Sequence, residues 1–380
     1  MRHLIFIIIF FCTLKTFAQS IGGEIKFPDK AATYKSAMAS VVKQKIVYKR
    51  AKNKELNNAP IEIDKYSKDL ENRAIQGNAA AQYALSKIYC FGNGIKADEN
   101  LSKQYLLKSA AKGYIAAQYT LGVMYLNGYI NSMPQYEIAH KYFVLTADKG
   151  HVNAMFYAGV DFLLGRGVSQ NIGQALYYIE NAAQENDELA LNLLGAMYCY
   201  GKYQQKKDPQ KAFVCFWKNA HQGNADAQYN LGKCYMEGIG TGKDMKKAFY
   251  WLKTSAKNGS SNGYYGVAIC YKKGYGVSEN SQEYFKNMMI SANLGNISAF
   301  AQIGLCYISG NGVQKDENEA VNWFIYSANK GDSLGQFCLG QCFLHGTGTE
   351  KNEQAAIAWL KKAADAGYTP AIDTLNQIKK

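Results

Sequence analysis

Residues 223–259 read GNADAQYNLGKCYMEGIGTGKDMKKAFYWLKTSAKNG. Gly223 suits the left-handed turn that ends a helix, and Asn224 is a preferred N-cap for the next one. Ala227, Leu231 and Tyr235 fall four apart, which places them on one helix face. Glycines at 238, 240 and 242 break that helix. Ala248, Trp251, Leu252, Ser255 and Ala256 then recur at three- and four-residue spacing, predicting a second helix, and Gly259 restarts the cycle.

The same pattern runs outward in both directions. Gly77, Gly113, Gly150, Gly223, Gly259, Gly295, Gly331 and Gly367 lie 36 or 37 residues apart, once Asn186 is counted as the substitute between Gly150 and Gly223. A fixed period of this size means an array of two-helix units, each burying its apolar face on its neighbours. First-helix anchors recur as Leu85/Tyr89, Leu121/Tyr125, Ala158/Phe162, Leu194/Tyr198, Val267/Tyr271, Ile303/Tyr307 and Leu339/Phe343. Second-helix anchors include Ala110, Ala147, Ala182, Ala220, Ala292, Ala328 and Ala363, small enough for paired helices to approach closely. Eight full units start near 77, 113, 150, 186, 223, 259, 295 and 331. Tyr66 to Ile75 is expected as a lone second helix capping the front. The C-terminal cap, 367–380, has Thr369 as N-cap and Pro370 at N1.

These motifs resemble the Sel1-like repeat proteins, relatives of the tetratricopeptide repeats. The resemblance rests on Gly77-Asn78, Ala81-Gln82, Leu85, Tyr89 and Gly92-Asn93-Gly94-Ile95, and on Ala320, Trp323, Ala328 and Gly331, and it covers residues 65–380. It implies an all-α, right-handed solenoid of about eight helix-turn-helix repeats with capping helices at both ends. It also implies an adaptor or scaffold role in protein–protein contacts. Residues 129–136 and 202–208 depart from the pattern, replacing the Gly-x-Gly turn with longer connections.

The first eighteen residues differ from the rest. Met1-Arg2-His3 is basic, Leu4 to Leu14 is almost wholly apolar, and Thr16-Phe17-Ala18 offers a small-residue cleavage site. This reads as a secretory signal peptide, too short to span a bilayer, with no integral membrane segment left after cleavage. The expected location is exported: periplasmic, outer-membrane-associated or secreted. The chain carries a net charge of +13. The leader, 19–64, is expected to be partly helical or disordered. Its stretch 19–60 holds nine basic and three acidic residues, a basis for contact with an anionic surface. Nothing in the chain carries a nucleic-acid-binding signature.

Catalytic, metal and cofactor chemistry find no constellation, so no catalytic residue, metal ligand or cofactor is expected. His140, His151, His221 and His345 are scattered, without His-Glu-x-x-His. Ser-x-x-Lys occurs at Ser40–Lys43, Ser109–Lys112 and Ser327–Lys330, but the Ser-Asp-Asn and Lys-Thr-Gly partners of a β-lactamase are absent. Of nine cysteines, Cys234, Cys270, Cys306 and Cys342 share one repeat position, too far apart between neighbouring helices to bridge. Free, buried thiols are expected. The cysteine-rich branch of the resembled family pairs cysteines within each repeat, and that regular pairing is missing here.

Mapping the tetratricopeptide groove positions onto the first helices gives Tyr83, Lys87, Phe91, Tyr119, Phe156, Tyr200, Tyr229, Lys233, Tyr265, Lys272 and Phe337. Aromatic rings mixed with lysine suit recognition of a protein or peptide on the concave face. Signalling, envelope assembly or host interaction are the settings expected for such a scaffold. The alternative function is a cell-wall or glycan-associated protein, because an aromatic groove also stacks sugars, or a β-lactamase-like hydrolase.

Overall fold

The structure, a computed structural model, describes residues 65–130, 133–203 and 205–378. Among these, eighteen α-helices form and no strand does. The chain divides into two compact units, described separately: one ends at Lys207 and the other begins at Asp208. The signal peptide, the basic leader and residues 379–380 lie outside the described residues.

In the unit ending at Lys207 the helices are α1 (Lys68–Ile75), α2 (Ala79–Phe91), α3 (Glu99–Ala111), α4 (Ile115–Asn127), α5 (Tyr136–Ala147), α6 (Val152–Leu164), α7 (Ile172–Gln184) and α8 (Glu188–Tyr200). The unit from Asp208 holds α9 (Pro209–His221), α10 (Ala225–Glu237), α11 (Met245–Lys257), α12 (Ser261–Lys273), α13 (Ser281–Asn293), α14 (Ile297–Ser309), α15 (Glu317–Asn329), α16 (Ser333–His345), α17 (Glu353–Asp365) and α18 (Thr369–Ile378). Within each unit consecutive helices pack in pairs. First helices of successive repeats also touch directly, α10 against α12 and α14 against α16.

The helix boundaries follow local chemistry. Asn224 caps α10 by accepting from the Ala227 N–H at 2.9 Å, and Asp244 caps α11 from the Lys247 N–H. Asn186, standing where the other repeats have glycine, adopts a left-handed φ of 64°, which asparagine tolerates better than most residues. Helix α1 begins at Lys68, two residues after the expected start, because the Ser67 hydroxyl caps it. Helix α18 begins one residue earlier than expected, with Tyr368 ahead of it and its carbonyl taking the first bonds.

Three repeated contacts explain the motif. The glutamine after Ala81, Ala117, Ala227 and Gly335 reaches back to the preceding second helix: Gln82, Gln118, Gln228 and Gln336 donate to the carbonyls of Ala74, Ala110, Ala220 and Ala328. The glycine after Leu121, Leu231, Ile303 and Leu339 leaves room for a large second-helix residue, so a Cβ on Gly304 would strike the Phe324 ring. The second glycine of five Gly-x-Gly turns, at 167, 240, 276, 312 and 348, lies against the first residue of the preceding second helix, as Gly240 does against the Pro209 carbonyl. The apolar seam between helices is therefore continuous within each unit. Leu85, Leu231, Ala248 and Leu252 are fully buried.

Candidate partner-binding surface

Six of the eleven proposed groove residues hold the equivalent place in their own first helices: Tyr83, Tyr119, Phe156, Tyr229, Tyr265 and Phe337. That place faces the residue that opens the next first helix. Tyr83 packs on Tyr114, ring centres 5.4 Å apart, Tyr119 on His151 at 4.2 Å, and Phe337 on Tyr368 at 5.3 Å. In these three repeats the ring links one repeat to the next.

In the unit ending at Lys207 the ring is closed over. Tyr83, Tyr119 and Phe156 are buried, and none of them presents a surface. This corrects their reading as groove-lining residues. Tyr83 and Tyr119 pack on the rings of Tyr114 and His151, which precede the next first helix, so burial replaces display there. The Tyr83 hydroxyl pairs with Thr120 Oγ1 at 3.1 Å, and burial pushes it up to about 12. Burial likewise raises Tyr119 well above the ordinary phenol value. Lys87 and Phe91 are half-buried, with the Lys87 ammonium over the Tyr83 ring, and Tyr200 is exposed.

In the unit from Asp208 the same row stays open. Tyr229, Tyr265 and Phe337 are half-buried. Lys233 lies over the Tyr229 ring at 6.0 Å and within 4.0 Å of Glu237. Lys272 is exposed and sits 5.0 Å from the Tyr284 ring centre. The sequence reading passed over Ile269, Leu305 and Gln341, which share the row of Lys233 and are half-buried like it. The period of 36 residues from Lys233 was the signal that would have found them. The open face is a row of tyrosine, phenylalanine and aliphatic side chains edged by lysine, suited to contact rather than chemistry.

Two polar clusters depart from the apolar seam. Asp161 is buried, with Arg166 Nε at 2.6 Å and His140 Nδ1 at 3.3 Å. Tyr284 is also buried, and its hydroxyl donates to Gln302 Oε1 at 3.0 Å. No disulfide joins the cysteines 90, 199, 215, 234, 270, 306, 338 and 342; burial pushes the thiols of Cys270 and Cys338 up to about 12. Among the described residues no three His, Cys, Asp or Glu side chains converge to hold a metal ion. No helix there is long and apolar enough to cross a membrane.

Comparison with known proteins agrees with this architecture. The Sel1 repeat model matches residues 79–114, 115–151, 152–187, 189–224, 225–260, 261–283, 299–332 and 333–368. The unmatched stretch falls on α13, where Tyr284 and Asn287 stand in place of Ala248 and Trp251. Among solved structures the chain is similar to c5321, a protective antigen present in uropathogenic Escherichia coli strains and displaying an SLR fold. That match has 29% identity and a TM-score of 0.66, and covers 82% of this chain but only 66% of that one. It is also similar to a Sel1 repeat protein from Oxalobacter formigenes, at 27% identity and a TM-score of 0.59, covering 82% of this chain and 89% of the other. No curated protein matches the chain.

Proposed function

The chain belongs to the Sel1 repeat family, whose members are generally scaffolds for protein–protein interaction, and from that premise we propose that it is an exported, non-enzymatic adaptor. It binds a protein or peptide on the side of the array formed by its first helices. The single observation that carries this reading is the set of half-buried aromatic, lysine and isoleucine positions Tyr229, Lys233, Tyr265, Ile269 and Phe337 on three first helices of one unit. Tyrosine and phenylalanine supply contact area at low entropic cost, and lysine at the edge supplies orientation. Export is supported by the apolar run Leu4 to Leu14 with its small-residue cleavage site. The basic stretch 19–60 adds an electrostatic contact with an anionic surface.

Site-specific photo-cross-linking tests the binding side. A photoreactive residue placed at Tyr265 or Phe337 in the full chain, expressed in its source cells, is expected to capture one discrete protein partner. The same residue at Tyr326, on a second helix, is expected to miss it. Equal capture from both sides, or none from 265 and 337, sinks the reading. Replacing Tyr119 is unsuitable for this purpose, because its burial makes the variant a folding test instead.

A further inference from the structure

The second helices α9 and α11 carry a surface that the adaptor reading does not use. Both helices bury one stripe, Ala212, Phe216 and Ala220 on α9 and Ala248, Leu252 and Ala256 on α11. The opposite stripe would ordinarily be polar. Instead it shows Val214, Trp217 and Tyr250, exposed at 48%, 45% and 62%. The rings form a connected patch across the two helices: Trp217 meets His221 at 4.1 Å, His221 meets Trp251 at 5.0 Å, and Trp251 meets Tyr250 at 5.3 Å.

Charge on this face is of one sign. Helix α9 carries Lys211 and Lys218, and α11 carries Lys246, Lys247, Lys253 and Lys257, while neither helix contains an aspartate or glutamate. The nearest acids in sequence are the N-caps Asp208 and Asp244, each already engaged by its own helix and by Lys211 or Lys247. The other second helices of this unit lack that bias: α13 holds Glu283, α15 holds Glu317 and Glu319, and α17 holds Glu353 and Asp365.

We propose that this face docks on an anionic lipid bilayer. Tryptophan and tyrosine favour the headgroup boundary, where the ring is desolvated and its polar edge stays wet. Lysine stems lie along apolar surface while the ammonium reaches lipid phosphate. The patch runs across the exposed faces of two neighbouring second helices, joined by the contact of His221 with Trp251. A bilayer is the anionic partner that needs no shape complementarity. This contact is independent of the first-helix row, so the array presents a partner on one set of helices while the other set rests on lipid.

The test is co-sedimentation of the full chain with sucrose-loaded vesicles of phosphatidylcholine, with and without phosphatidylglycerol. Binding is expected only where phosphatidylglycerol is present. Charge reversal by Lys218→Glu, Lys253→Glu and Lys257→Glu together is expected to weaken it at least about tenfold. Trp217→Ala with Tyr250→Ala is expected to weaken it with the lysines intact and to reduce the blue shift of tryptophan emission, Trp251 remaining as a reporter in the patch. All five positions are exposed, and unchanged circular dichroism and melting confirm folding. Unchanged binding by both variants overturns the proposal, since basic residues elsewhere would then carry the attraction. So does tighter binding of soluble poly-glutamate than of vesicles through the same lysines, which would assign the face to an acidic protein.

Discussion

Tyr119 stacks on His151 across the junction of two repeats, ring centres 4.2 Å apart and planes inclined by 27°. His151 holds the N-cap place that asparagine, aspartate or serine fills elsewhere, as at Asn78, Asp187, Asn224 and Ser260. Its Nδ1 still accepts from the Ala154 N–H at 3.2 Å, so it caps the helix and stacks at once. Tyr114, at the equivalent place, makes no capping bond and only packs against Tyr83, the two rings tilted by 46°. Capping and ring packing are thus exchanged, repeat by repeat, at one position.

The buried imidazole makes stability depend on pH. Burial pushes His151 down to about 4, below the roughly 6.5 of an unfolded histidine. Its contribution is complete above the unfolded value and is lost as pH falls from there toward 4, because only the unfolded chain takes up the proton. The loss amounts to about 3 kcal/mol at its full extent. Asp187, which burial pushes up to about 6, works in the opposite direction, since acidification discharges a buried carboxylate. His151→Asn keeps the cap and should flatten or reverse the decline. Urea titrations at neutral and acidic pH check this, and identical pH profiles for variant and parent would refute it.

Asp161 stands where neighbouring repeats have Met124, Met197 and Cys234. Asp161→Ala strands Arg166 and His140 and is expected to cost about 3 kcal/mol or more. The triple change His140→Phe, Asp161→Met and Arg166→Asn restores residues used at these positions in other repeats, including the Phe213–Tyr235 type of edge contact. It should fall within about 1 kcal/mol of the parent, since well-packed apolar residues commonly replace a buried ion pair without loss. A triple variant as unstable as the single one would contradict this account.

Gly240 and Gly242 share a turn but not a role. Gly240 has φ 65° and lies against the Pro209 carbonyl, whereas Gly242 has nothing within 4 Å of an added Cβ. Gly240→Ala should lower stability by about 3 kcal/mol through backbone strain and collision. Gly242→Ala should be neutral or slightly stabilising, because it restricts only the unfolded chain. Thermal melts of the two variants decide it.

Gln228 donates to the Ala220 carbonyl at 3.2 Å and accepts from Asn258 at 2.8 Å while almost wholly buried. Gln228→Leu, close in size, removes both bonds and leaves polar partners without them, at a cost of about 1–3 kcal/mol. Hydrogen exchange at the start of α10 should speed up accordingly. Unaltered exchange would mean that packing alone holds the junction.

Period and composition alone determined the element type, the repeat length and the turn positions. A 36-residue recurrence of Gly, Ala and Leu admits only a stack of short helix pairs, and the Asn186 turn followed from that register. The tertiary structure decided which rings are displayed and which are buried. Tyr119 and Tyr229 occupy equivalent places in the sequence, yet one is enclosed and the other stays partly open. The difference follows what the next repeat holds at the place that meets the ring, the His151 imidazole in one case and the small Ser260 in the other. A pattern of spacings encodes which face a side chain is on, but solvent exposure is set by the neighbours that the fold brings there.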